Sequence, residues 1–354
     1  MAFKTDIYKR LEPVTRLSPT TFFLGAIALF TLVILALLFA SSLFMNNDSA
    51  TYDTGRFFAM AKVIVSGATP YLDYQDPKPP LIFFILTVPI LLGQQFLGGL
   101  LLIGLCNLIS AVIVMKIAEP LYGRLAGLAA GILFLVNIGW AQGYFVMTEP
   151  FTILFVLLAT YFALFSKKRH YVLAGLCAGI AIGFKQYALI AIPLLLLALY
   201  LNKETKRMPA FLTGVGFPLL LIFGSIFFVY GAQAMDASIY WSFGVAGPYI
   251  TRNRVDPVIS TGTDAVELAL NVVIAVIISA SLYLGYNRYL KNNKLDANET
   301  YFLLSAIGFS LTLLIRQYLH YWALAVPFLA ILWASWLFKE HKVTGPDPVI
   351  MQDQ

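Results

Sequence analysis

The sequence predicts an all-α polytopic membrane protein, and three observations carry that expectation. Of the 354 residues, 60% are hydrophobic and 12% charged, against about 25% charged in a soluble domain. Mean hydropathy is +0.80, and no single soluble core could hide that much apolar surface behind a polar exterior. The apolar residues run in long stretches punctuated by short basic clusters, the pattern expected of helices solvated by lipid.

Composition also excludes some classes. The net charge of +6 is spread over short loops, which speaks for the positive-inside rule rather than a nucleic-acid partner. Cys106 and Cys177 are the only cysteines and both lie in apolar runs, so no disulfide framework or zinc site can be built on them.

The first apolar run, residues 20–45, follows Lys4, Lys9, Arg10 and Arg16. At about 25 residues it exceeds a signal-peptide core of about 7–15 and predicts a retained first span. Basic clusters at 4–16, 116–124, 167–170, 203–207, 288–294 and 339–342 are expected in the cytoplasm. Between them the apolar runs fall in pairs: two spans in 124–167, two in 170–202, two in 209–288 and two in 300–338. The stretch 80–93 breaks the count. It is shorter than the roughly 20 residues a crossing needs, and the span 98–117 must begin outside to end at Lys116 and Arg124. It is therefore expected as an interfacial or re-entrant helix on the outer face.

The expected architecture is about ten transmembrane helices with both termini cytoplasmic. One transmembrane domain covers residues 1–338, with a first outer loop at 46–97 and a second at 232–263; residues 339–354 form a short tail. No internal repeat is evident, which weakens a transporter built from repeated halves.

The first outer loop holds the groups that point to chemistry. Asp53 opens a stretch with apolar residues at 57, 60, 61 and 64, the spacing of a short amphipathic helix at the interface. A carboxylate at its start would cap free N–H groups, so a plain N-cap competes with a functional role. Downstream, the run Gly67-Ala68-Thr69-Pro70-Tyr71-Leu72-Asp73-Tyr74-Gln75-Asp76-Pro77-Lys78-Pro79-Pro80-Leu81 forbids helix until after Pro79. It predicts a rigid elbow that presents Lys78 at headgroup depth, where an ammonium meets either a bound phosphate or lipid headgroups.

This order of residues resembles the first outer loop of GT-C class glycosyltransferases. The nearest group is that of protein O-mannosyltransferases and lipid A aminoarabinose transferases. Thr148-Glu149-Pro150, Gly183-Phe184-Lys185-Gln186 and His320-Tyr321 before Pro327 fit the same pattern. The resemblance spans nearly the whole chain and is best marked over 53–81. One departure is Thr54, where many relatives carry a second acid, so no role of that acid carries over. No soluble C-terminal domain of the kind some members have is expected.

The resemblance implies a GT-C-like fold and a transferase that moves a sugar from a polyprenyl-phosphate donor to a lipid, glycan or protein acceptor on the outer face. The reaction implied is an inverting single displacement, which needs a base for the acceptor proton and cations for the leaving phosphate. Asp53 matches the catalytic aspartate of the family and Lys78 its phosphate-binding lysine. Lys185, Arg316, Arg252 and Arg254 are further candidates for the donor phosphate. Asp73, Asp76, Glu149, Gln186, His320 and Tyr321 are candidates for sugar or acceptor. Each has a plainer alternative: a helix cap for Glu149, snorkelling for Lys185, an interfacial histidine for His320, solvation for the loop arginines. Arg316 and His320 face one ligand if their helix is continuous. No cofactor is expected. The acidic residues are hard ligands suited to a divalent metal, but their spacing matches no standard metal loop. The partners implied are the lipid-linked donor, the acceptor and membrane lipids, in a plasma or inner membrane. A transporter or flippase of lipid-linked sugars, a glycan polymerase or ligase of another fold, and a non-catalytic GT-C relative are the alternatives.

Overall fold

A computed structural model describes residues 13–14, 16–43, 49–245, 296–312 and 318–338. Numbered over these residues, the helices are α1 Pro19–Leu43, α2 Ser49–Val65, α3 Leu81–Leu91, α4 Gln95–Tyr122, α5 Arg124–Trp140, α6 Thr148–Thr160, α7 Tyr171–Phe184, α8 Ala191–Leu201, α9 Met208–Tyr230, α10 Ala232–Ile239, α11 Ala297–Ser310 and α12 Val326–Phe338. Among the described residues the secondary structure is helical throughout, apart from one isolated bridge between Pro70 and Tyr74.

Among the described residues, four segments are long and apolar enough to cross a membrane: Pro19–Ala40, Gln95–Tyr122, Thr148–Phe165 and Thr205–Tyr230. Shorter apolar helices occupy Arg124–Trp140, Tyr171–Phe184, Gln186–Leu201 and Val326–Phe338, where the sequence predicts further crossings. Helix α3 has 11 residues. At 1.5 Å per residue that is about 16 Å, roughly half the hydrocarbon thickness. It starts at Leu81, directly after Pro80, because the prolines before it cannot supply helical N–H donors.

Two boundaries differ from the sequence-based expectation. Helix α2 begins at Ser49, not at Asp53, so Asp53 lies in the helix rather than capping it. Ala50, Thr51 and Tyr52 carry the described helix backwards from the apolar pattern. The first part of the second outer loop is helical. Residues 232–245 form α10 followed by a π-helical turn Tyr240–Gly244. The rest of that loop, with Arg252 and Arg254, lies outside the described residues, as do Arg316 and the tail 339–354.

The bundle is held by close backbone approach as well as apolar packing. Helix α7 carries Gly175, Gly179 and Gly183 on one face and packs along α9. A Cβ on Gly179 would sit 2.4 Å from the Val215 carbonyl oxygen, a clash that no side-chain rotation relieves. A Cβ on Gly183 would meet Ile222 at 2.6 Å and Leu81 at 2.8 Å. In lipid, where apolar side chains gain nothing by leaving the solvent, such small-residue contacts are a main source of helix association. Gly183 also brings the end of α7 against the start of α3, which sets two of the candidate site segments side by side.

Candidate active site

The elbow before α3 is built around Tyr71. This residue is buried and takes φ 65°, a region that bulky L residues avoid. Its hydroxyl donates to the Lys78 carbonyl at 2.7 Å, and its ring meets Phe83 edge-on at 6.1 Å. The loop is therefore closed across seven residues, with Lys78 buried to 9% exposure. Asp76 is still more buried, at 2%. Its Oδ2 pairs with Arg56 Nη2 at 3.0 Å, while its Oδ1 is buried without a hydrogen-bond partner. Burial raises the Asp76 carboxyl above its usual range, and the neighbouring Lys78 and Arg56 pull it back.

Arg56 sits one turn after Asp53 on α2, so its bond to Asp76 fixes the Asp53 turn against the elbow. Asp53 itself is half-buried and within electrostatic reach of Arg56, Asp76 and Lys185. Thr54, at the place of the missing second acid, donates its hydroxyl to the Val146 carbonyl at 3.2 Å. It ties α2 to the buried turn that precedes α6.

A second cluster forms where α6, α7 and the last described segments meet. Glu149 enters from the first turn of α6 and is 1% exposed. Lys185 enters from the extended residue between α7 and the 3-10 turn Gln186–Ile190 and is also 1% exposed. The Lys185 ammonium bonds Glu149 Oε1 directly. It also lies 4.3 Å from the Tyr321 ring centroid and 5.3 Å from that of Tyr187, so two aromatic faces complete its shell. The Thr148 hydroxyl donates to the other Glu149 oxygen at 3.0 Å. His320 Nε2 stands 3.8 Å from Glu149 Oε1, and its Nδ1 stands 3.3 Å from Gln142 Oε1. The His320 ring is sandwiched by Tyr318, stacked at 5.5 Å, and Tyr321, edge-on at 4.7 Å.

The two clusters adjoin. Gln186 donates from Nε2 to the Pro77 carbonyl at 3.2 Å, and Lys78 acts electrostatically on both Glu149 and Lys185. The fold thus brings Asp53, Asp76, Lys78, Glu149, Lys185, Gln186, His320 and Tyr321 into one neighbourhood. Asp73 does not join it. That side chain is exposed and accepts from the Thr69 backbone N–H at 2.6 Å, stabilising its own turn.

Sequence reasoning overlooked Arg56, Gln142 and Tyr187 as parts of the site. Arg56 was legible as the cation one turn beyond Asp53; Gln142 and Tyr187 carry no local signal. The expected helix through 316–320 is not continuous: Tyr318 is extended at φ −90°, ψ 138°, and residues from Leu319 to Leu324 form a 3-10 turn. The helical spacing expected to pair Arg316 with His320 is broken at Tyr318. Among the described residues no group of three or more His, Cys, Asp or Glu is arranged to hold a metal ion.

A family model described as dolichyl-phosphate-mannose-protein mannosyltransferase matches residues 77–228. That stretch contains Lys78, Glu149, Lys185 and Gln186; Asp53, His320 and Tyr321 fall outside it. No curated protein and no solved structure matches the chain. The match, together with the apolar helices, supports a membrane-embedded glycosyltransferase of the GT-C type.

Proposed function

We propose that this protein transfers a sugar from a polyprenyl-phosphate donor to an acceptor hydroxyl at the outer membrane face, by inverting displacement. The observation that carries this reading is the convergence of a partly exposed carboxylate, Asp53, with two buried lysines, Lys78 and Lys185, on segments distant in sequence. Asp53 takes the proton from the acceptor as it attacks the anomeric carbon. Lys78, rigid in its proline elbow, stabilises the phosphate as the glycosidic C–O bond breaks and the negative charge moves to the leaving oxygen. The Glu149–Lys185–His320 cluster borders that phosphate and lends it a second cation. Asp76, Gln186 and Tyr321 shape the sugar or acceptor side.

Burial favours this reading over a simple surface role for the lysines. A snorkelling lysine keeps its ammonium in water, whereas Lys185 is 1% and Lys78 9% exposed. A charge buried at that depth is costly unless it is paired.

The test is transfer by Asp53→Asn. General base catalysis contributes roughly 10²–10⁴-fold, so turnover should fall by that range with donor binding retained. Near-normal turnover would remove Asp53 from the role of base.

A further inference from the structure

The end of α7 away from the candidate active site carries a concentrated positive charge. Lys185 follows the last residue of α7, and the helix has 14 residues, so its start lies about 21 Å away. There two turns distant in sequence meet. Residues 166–170 lead into α7, and residues 202–207 lead into α9. The first turns of the two helices are in backbone contact: a Cβ on Gly175 would strike the Phe211 carbonyl oxygen, and one on Gly214 that of Val172. Arg169 Nη1 reaches Glu204 Oε1 between the turns at 3.1 Å, and the Arg207 guanidinium lies 5.9 Å from the Tyr171 ring centroid.

The fold thereby joins two basic clusters into one patch. It holds Lys167, Lys168, Arg169, Lys203, Lys206 and Arg207, all exposed, against the single carboxylate of Glu204 within the two turns. Both turns are closed by their own hydrogen bonds. Ser166 Oγ donates to the Lys168 carbonyl at 2.7 Å, and the His170 N–H to that of Phe162 at 3.0 Å. Lys203 takes φ 61°, and the N–H groups of Lys203 and Glu204 bond the Tyr200 and Leu199 carbonyls at 3.0 and 2.8 Å. Like charges are therefore kept side by side by the backbone, an arrangement that repels itself and that an anion relieves. Helix α11 starts at the same end, since Gly308 near its other end lies against Ile190 and Leu194 at the start of α8. Asp296 at that start accepts from the Glu299 N–H at 2.7 Å, so this carboxylate serves its own helix. Directly beyond the cations, Val172, Leu173 and Leu212 are exposed. The surface is thus cationic at its edge and apolar immediately alongside, the pairing that a headgroup and its acyl chains require.

We propose that the turns 166–170 and 202–207 together bind the headgroup of one anionic phospholipid, whose acyl chains lie along Val172, Leu173 and Leu212. The charge selects an anionic headgroup over a zwitterionic one, and the exposed aliphatic side chains select a lipid over a free phosphate. The site is remote from the transferase cluster, and its test needs no activity. Native mass spectrometry and lipid titration of the purified full-length protein in neutral detergent, with phosphatidylglycerol, cardiolipin and phosphatidylcholine as probes, measure it. Wild type should retain one anionic lipid and bind it about 10-fold or more tighter than phosphatidylcholine. A lysine near an anionic headgroup is worth about fivefold in affinity. Lys167→Gln/Lys168→Gln and Lys203→Gln/Lys206→Gln should therefore each weaken binding by about 10–30-fold, while their thermal midpoints in neutral detergent stay at the wild-type value. Lys62→Gln, at an exposed lysine on α2, is the control and should bind as wild type. Equal affinity for phosphatidylcholine overturns the proposal, as does an equal loss in Lys62→Gln. A loss confined to one of the two double variants overturns the joint site. Displacement of the lipid by equimolar inorganic phosphate marks a simple anion site and overturns the lipid assignment.

Discussion

Cutting the Glu149–Lys185 pair from one side should destabilise the protein far more than removing it whole. Both side chains are essentially sealed from solvent, at 1% and 2% exposure. Glu149→Gln leaves the Lys185 ammonium buried without its carboxylate, and a buried pair broken from one side costs about 3–5 kcal/mol. The Tyr321 and Tyr187 faces at 4.3 and 5.3 Å still solvate the cation in part, by about 0.5–2 kcal/mol. The loss should therefore sit at the lower end, about 3 kcal/mol. Lys185→Met should cost less than that, because Thr148 and His320 remain around the Glu149 carboxylate at 3.0 and 3.8 Å. The double variant Glu149→Gln/Lys185→Met strands no charge. It should be more stable than Glu149→Gln alone, with a coupling energy of about 2 kcal/mol or more. Equilibrium unfolding in mixed detergent micelles, as a double-mutant cycle, measures these terms. Single-variant losses below about 1 kcal/mol, the range of exposed pairs, would refute the reasoning, and so would strict additivity of the two substitutions.

Three further outcomes follow from the same structure. Lys78→Ala should weaken binding of polyprenyl phosphate by about 1.5–3 kcal/mol, the worth of a charge-assisted hydrogen bond, as read by titration of the purified protein; unchanged affinity removes Lys78 from the site. Gly179→Leu should separate α7 from α9, since even a Cβ would approach the Val215 carbonyl to 2.4 Å, and should cost several kcal/mol, about 3 or more in the range of severe overpacking; a thermal midpoint equal to wild type would contradict the close packing. Single cysteines at Gln95, Phe96 and Leu97 in a Cys106→Ala, Cys177→Ala background should react with an impermeant label from the outer side, because α3 is too short to carry the chain across; labelling from the cytoplasm alone would overturn that topology.

Helical character and segment boundaries were largely legible in the chain, because both follow from local rules. Apolar runs and prolines act on their immediate neighbours, so the first span, the α3 start after Pro80 and the break at Lys185 all emerge from reading along the sequence, whereas the turn expected near 147–150 lies just before it, at 141–147. Where local signals were sparse, the boundary slipped. Asp53 looked like the first polar residue before an apolar helical face, yet it lies within the described helix Ser49–Val65. The second outer loop looked irregular because it is polar, but 232–245 is helical.

The sequence by itself determined that this protein lives in lipid, that a proline elbow presents Lys78, and that Asp53, Glu149, Lys185 and His320 lie near the ends of apolar runs. Only the tertiary structure decided which of these groups meet. Arg56 pairs with Asp76, Lys185 with Glu149, and Gln142 with His320, and Asp73 turns away to its own loop. These pairings span from 20 to 178 residues and leave no periodic trace. They depend on glycine contacts that bring α7 against α9 and α3. The physical reason is one of range. Hydropathy and backbone propensity act over a few residues, whereas the Coulomb and hydrogen-bond partners of a buried polar group are chosen by whichever side chain the packed bundle places within about 3–4 Å.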